Sequence, residues 1–197
     1  MPTSDPNPTP LAALASLLES EEYTVLHAAA NEHRKSGELL FNALDEESEE
    51  DGQILPVRVI ILNTLLDDEK SLSVKAEPVG ALMLHCATVF PFVIPESKLT
   101  DVMQAALLVN RMLPLCSYGV SVEDRSCFLQ ACICLDPTAA MPEAMVLETI
   151  QMICHAVQSY GPLIEQITEG ELTYAGFRSD LERRGTLPPP IPVRVFP

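Results

Sequence analysis

Tryptophan is absent from the 197 residues, and aromatic side chains make up only 5%. Without stacking platforms a base-binding surface has little to work with. Basic residues are also scarce, with 12 Lys and Arg against 28 Asp and Glu, for a formal charge of −16. That balance argues against general binding to nucleic acid or anionic lipid, because both require a positive field. Apolar runs of 18 residues are missing, so no membrane span is expected. The opening Met1–Pro8 lacks the basic and apolar regions of a signal peptide, which sets the expectation of a cytoplasmic protein. Eight glycines are few for phosphate-cradling loops. No G-x-x-x-x-G-K-S/T, G-x-G-x-x-G, H-E-x-x-H or G-x-S-x-G pattern occurs.

What is present is hydrophobic material, at 47% of the residues. Wholesale disorder is excluded by that fraction. A chain of this length forms one domain as a rule and buries about 70% of its unfolded surface. Residues 1–8 are Pro-rich and polar and read as a loose N-terminus. Residues 9–177 read as a single domain, with an exposed acidic loop at 45–52 carrying six carboxylates in the seven residues Asp45–Asp51. Residues 178–197 read as a Pro-rich tail.

Helix signals open the domain. Thr9 can cap, Pro10 suits the first helical position, and Leu11, Leu14, Leu17 and Leu18 share a face. The segment 21–35 is ambiguous between helix and strand, and Glu38–Leu44 reads as a short strand. Pro56–Leu62, Leu72–Ala76 and Ala81–Ile94 read as strands, the last bent at Pro91, with a turn at Asp67–Ser71. Their short connections imply an antiparallel meander. Leu99–Leu113 has helical spacing and ends before Pro114. A hairpin follows through Tyr118–Val122 and Cys127–Leu135. On its return strand Cys127, Leu129, Ala131, Ile133 and Leu135 face one way, and Phe128, Gln130, Cys132 and Cys134 face the other. Two largely apolar faces predict a central strand, or one covered by a partner. A final helix starts near Pro142 with the stripe Val146, Ile150, Ile153, Val157, Ile164 and Ile167. Gly161-Pro162 predicts a kink or division in it, and Gly170 its end.

Chemistry-bearing clusters are sparse. In the acidic loop, placing Gly52 at the sixth position of a calcium loop puts Arg58 where a bidentate Glu is required, so no EF-hand is read there. The six cysteines read as reduced, packed thiols. His85 adjoins Cys86 and His155 adjoins Cys154, yet neighbours on a strand face oppositely and neighbours on a helix diverge by about 100°. Cys132 and Cys134 share a face, but C-x-C without a second pair is a weak metal signature. Glu165 and Glu169 stand one turn apart and read as a solvated helix edge. His27 and His33 read as surface residues, and His85 as a hydrogen-bonded structural residue. Neither a catalytic residue nor a metal or other cofactor is therefore expected.

The element order, with the strand Leu55–Ile61, the helix end Ala105–Arg111 and the hairpin Tyr118–Ala131, resembles the YbjN family and the type III secretion chaperone-like fold that contains it. Asn110, just ahead of the hairpin, looks like that family's most recognisable polar position, and the resemblance covers about residues 10–170. It implies an α+β domain, a curved antiparallel sheet of about five strands with helices packed on it, in the order α-β-β-β-α-β-β-α. Also implied is a non-enzymatic, homodimeric binding module that holds a client or regulatory polypeptide segment, with no nucleic acid or membrane partner.

On that analogy and on apolar spacing, Leu11, Leu14, Leu17 and Leu18 are the expected partner-binding groove, and Leu99, Met103, Leu107 and Phe128 the expected dimer interface. A partner strand added to an exposed sheet edge is the other route to capture. The tail either trails free or lays Ile191, Val193, Val195 and Phe196 over a groove. The alternative to a binding module is an enzyme with an unrecognised small-molecule cleft, which would require His85 beside a carboxylate in a deep pocket.

Overall fold

The computed structural model describes residues 10–28, 38–43, 55–63, 82–136 and 138–189. The expectations for residues 1–8, for the Thr9 cap, the acidic loop 45–52, the turn at 67–71, the strand 72–76 and the tail segment 190–197 lie outside these residues. The fold is α+β, with helices packed on one face of an antiparallel sheet.

Helix α1, Pro10–Ser20, buries Leu14, Ala15 and Leu18 on one side. Its end is closed by the amides of Glu21 and Tyr23, both donating to the Leu18 carbonyl. Four strands follow: β1 (Leu26–Ala28), β2 (Glu38–Asn42), β3 (Pro56–Asn63) and β4 (Leu82–Val93). A 3-10 turn at Glu96–Lys98 leads into α2, Leu99–Asn110. The hairpin β5 (Ser117–Ser121) and β6 (Ser126–Leu135) precedes the long α3, Glu143–Glu169, and a short α4, Tyr174–Arg183.

The sheet runs β1-β2-β3-β4-β6-β5, every pairing antiparallel. Six strands stand where about five were expected. In the ambiguous segment 21–35, residues Leu26–Ala28 are strand β1, because Leu26 and Ala28 pair with Leu40 and Glu38 of β2. The ladder between β4 and β6 is interrupted between Val89 and Val93, where Pro91 has no N–H to contribute.

Three helix boundaries differ from the sequence pattern. Helix α2 stops at Asn110, three residues short of Leu113, and the Asn110 side chain turns to the neighbouring strand instead. Helix α3 is not divided at Pro162: all 27 residues are helical. A proline costs one turn-closing hydrogen bond, and ten buried residues along α3 hold it against that loss. Gly161 is needed for close approach, since a β-carbon there would stand 2.9 Å from the Phe90 ring. A helix also crosses residue 177, where the sequence pattern ended the domain. Thr173 caps α4 by accepting from the Gly176 amide at 3.1 Å, and Phe177 and Leu181, one turn apart, are buried. The ordered fold therefore continues through Arg183. Beyond it Leu187 packs on the core, and the Arg111 guanidinium donates to the Pro189 carbonyl.

The core lies between one sheet face and the helices. Leu39 and Phe41 of β2, Val57 and Val59 of β3, Leu84 and Cys86 of β4 and the odd-numbered residues of β6 meet Leu14, Val102, Ile150, Ile153, Ile164 and Phe177 in one cluster. Tyr118 crosses it, its hydroxyl donating to the Ala156 carbonyl at 2.7 Å.

Candidate protein-interaction surface

Strand alternation sends every second side chain to the other face of the sheet. There the register lines up Leu26, Leu40, Arg58, Ala87, Gln130 and Ser117 in one row across all six strands. The next row holds Ala28, Glu38, Ile60, His85 and Cys132. Met83 opposes Cys134 beyond it, and Val89, Phe128 and Gly119 align on the other side. None of Leu26, Leu40, Ile60, Met83, Val89 or Phe128 belongs to the helix-covered core. Leu26 is 64% exposed and Val89 60%. Among the described residues no helix packs on this face.

Its electrostatics set it apart. The described strands place two charged side chains there, Glu38 and Arg58, and they pair with each other. Glu38 is almost fully buried in that pair. The acidic residues of the described chain stand instead on helices and turns, among them Glu19, Glu21, Glu123, Glu143, Glu148, Glu165 and Glu169, all exposed.

The expected site residues separate in the structure. Leu14 and Leu18 are fully buried against β2 and β3, while Leu11 and Leu17 are half-buried at the margin of the same core. An open groove lined by Leu14 and Leu18 is therefore not what α1 presents: its leucine face is already used by the chain's own sheet. The four residues expected at a dimer interface do not share a surface. Leu99, Met103 and Leu107 follow one another along α2, with Leu107 65% exposed, whereas Phe128 lies on the outer sheet face over Gly119. The reason is the β6 alternation, which turns Phe128 away from every helix.

Strand addition is opposed at one edge. On β5 the Tyr118 amide donates to Asn110 Oδ1 at 2.7 Å, and Asn110 Nδ2 donates to the Tyr118 carbonyl at 2.9 Å. The outward peptide groups of Tyr118 are thus already satisfied.

The histidines and cysteines fall as alternation requires. Cys86 is buried inside, while His85 points outward, its Nε2 3.5 Å from Gln130 Oε1 and its position directly across from Cys132. Sequence reasoning missed that His85–Cys132 pairing, because alternation reveals a face but not which residues of two strands are partners. His155 Nδ1 lies 3.3 Å from the Ser159 hydroxyl, and Cys154 lies 4.0 Å from the Tyr23 hydroxyl. Glu165 and Glu169 are exposed, as read. No group of three or more metal-ligating side chains occurs among the described residues.

All six thiols are free. Burial pushes Cys86 and Cys127 up to about 12 and Cys116 up to about 11. Cys132 is raised by burial and by the neighbouring Cys134. Thiols held protonated at neutral pH are poor nucleophiles and poor ligands.

Among the described residues, two cavities lie on the helix side. One of about 400 Å³ between α3 and α4 is lined by Leu163, Gln166, Ser179 and the Asp180–Arg183–Arg184 ion cluster. A smaller one of about 280 Å³ lies where Leu107 of α2 and Arg111 just beyond it meet Tyr174 of α4. Neither contains His85.

No protein-family model matches the chain, and a search of curated proteins finds no match. No described helix is long and apolar enough to cross a membrane.

Proposed function

We propose that this chain is a non-enzymatic protein-binding module, chaperone-like or regulatory, that works as a homodimer in the cytoplasm. Its protein contacts depend on the outer face of the sheet. The observation that carries this reading is the combination, among the described residues of that face, of exposed apolar side chains with the Glu38–Arg58 ion pair. Exposed apolar patches of this kind mark protein interaction sites more often than chance surface. The likeness of element order to the secretion chaperones and YbjN proteins supports the same reading.

Pull-down from native lysate with the wild-type chain and with Val89→Glu, quantified by mass spectrometry, tests it. Val89 is exposed, so the substitution leaves the fold intact by circular dichroism. The expected result is one or more polypeptides retained by the wild type and lost from the variant. Equal retention by both removes the outer face as the contact surface. The enzyme alternative has no specific observation in its favour, since His85 neighbours an amide and a thiol rather than a carboxylate.

A further inference from the structure

The outer face also suggests what covers it. Resting on the reading above, we infer that the occupant is a second copy of this chain, stacked sheet against sheet about a two-fold axis, with Cys132 and Cys134 inside the contact.

Three observations carry this. The first is charge. Two molecules of formal charge −16 repel wherever their acidic helices and turns would meet. The outer sheet face is the described surface on which apposed copies bring together no net charge, because Glu38 neutralises Arg58 within each copy.

The second is shape and size. The six strands, three to twelve residues long, offer roughly 600 Å² per copy at ~3.3 Å rise and ~4.8 Å spacing. Two copies then bury about 1,200 Å², the lower bound of a stable specific interface. Stacked sheets interdigitate at ~10 Å, and a two-fold axis places a patch on itself. The face supplies both parts of such packing. Val89, Phe128 and Met83 are large side chains on it, and Ala87, Cys132 and Cys134 are small ones.

The third is the edge. Asn110 occupies the outward peptide groups of Tyr118, which opposes the competing arrangement in which two β5 strands pair edge to edge.

The chain carries its own reporters for this arrangement. Cys132 and Cys134 are exposed in the single subunit, Cys86, Cys116 and Cys127 are buried, and Cys154 is half-buried away from the face. Alkylation by N-ethylmaleimide, resolved by peptide mass spectrometry, therefore reads the outer face without any substitution. The experiment labels the full chain under reducing conditions from sub-micromolar to several hundred micromolar, with sedimentation velocity on the same samples.

The expected result is a dimer at high concentration in which labelling of Cys132 and Cys134 slows at least tenfold, while Cys154 labels at an unchanged rate. Val89→Glu should sediment as a monomer and label quickly throughout. If that variant fails to fold, the wild-type series alone decides. A dimer whose Cys132 and Cys134 react equally fast at every concentration overturns the inference and leaves the homodimeric reading standing, with its contact elsewhere. Slow labelling in samples that sediment as a monomer overturns it in favour of cover by this chain's own residues. A monomer throughout overturns both the inference and the homodimer.

Discussion

The two faces of β6 are close in composition and opposite in fate. Cys127, Leu129, Ala131, Ile133 and Leu135 are all buried under helices, whereas Phe128, Gln130, Cys132 and Cys134 are half-buried or exposed. Each set has a mostly apolar character, and each satisfies the pattern of a strand covered on both sides. The difference is that this chain supplies a lid for one face, in α3, and no described helix for the other. Apolar periodicity thus reports that a surface is suited to cover without reporting who provides it.

The sharpest way to break this comparison is to truncate adjacent residues on the two faces. Leu129→Ala should cost about 2–5 kcal/mol in urea unfolding, the range for a buried leucine that leaves a cavity. Phe128→Ala in dilute, monomeric protein should cost no more than about 1 kcal/mol, the range for surface changes. Equal losses would mean that the outer face is as fully packed as the inner one.

Alkaline pH probes the inner face most strongly, since burial raises its thiols furthest. Cys86 and Cys127 ionise near 12 when folded, against about 9 in the unfolded chain. Above pH 9 the unfolded state therefore holds fewer protons than the folded one, and stability falls as pH rises. Each thiol contributes in full below pH 9 and then loses up to about 1.4 kcal/mol per pH unit until the folded value is reached. Urea midpoints measured in reductant between pH 8 and 11 should decline, and Cys86→Val should make that decline shallower. A flat profile would show that neither thiol is shielded from water.

The edge clamp comes next in size. Asn110→Ala leaves the Tyr118 N–H and C=O without their side-chain partners, and should cost about 1–3 kcal/mol. Asn110→Asp should recover only part of the loss, since a carboxylate accepts from the amide but cannot donate to the carbonyl. Thermal unfolding of the three proteins checks the order wild type, Asp, Ala.

The smallest effect is expected at Gly119. A β-carbon there would stand 2.2 Å from the Phe128 ring, the movable end of its side chain. Gly119→Ala should displace the ring and weaken self-association several-fold in sedimentation equilibrium, with little change in monomer stability. With Phe128→Ala already in place, Gly119→Ala should have no further effect on association; a persisting one would detach the ring from the contact.

Much of this architecture was legible from residues alone. The stripe Val146, Ile150, Ile153, Val157, Ile164 and Ile167 marked α3, and all six side chains are buried. The alternation in β6 separated its two faces correctly. Destinations were less legible. The leucines of α1 declared an apolar face, but whether that face meets the chain's own sheet or a partner is decided by long-range packing. The cross-strand neighbours of His85 depend on register, set by connections that spacing does not encode. Helix α4 had a readable signal in Thr173 with Phe177 and Leu181, obscured by the prolines that follow. Asn110 drew notice as a polar position at a helix end, yet its hydrogen bonds run to a strand eight residues away.

That clamp bears on how assembly stops. Sheets left with receptive borders can recruit further copies indefinitely, as fibrils do. Here the β5 border is occupied at Tyr118 by a carboxamide, so an additional molecule finds no docking ladder at that point. One carboxamide thus takes from the β5 border the N–H and C=O through which a further strand would begin to add at Tyr118.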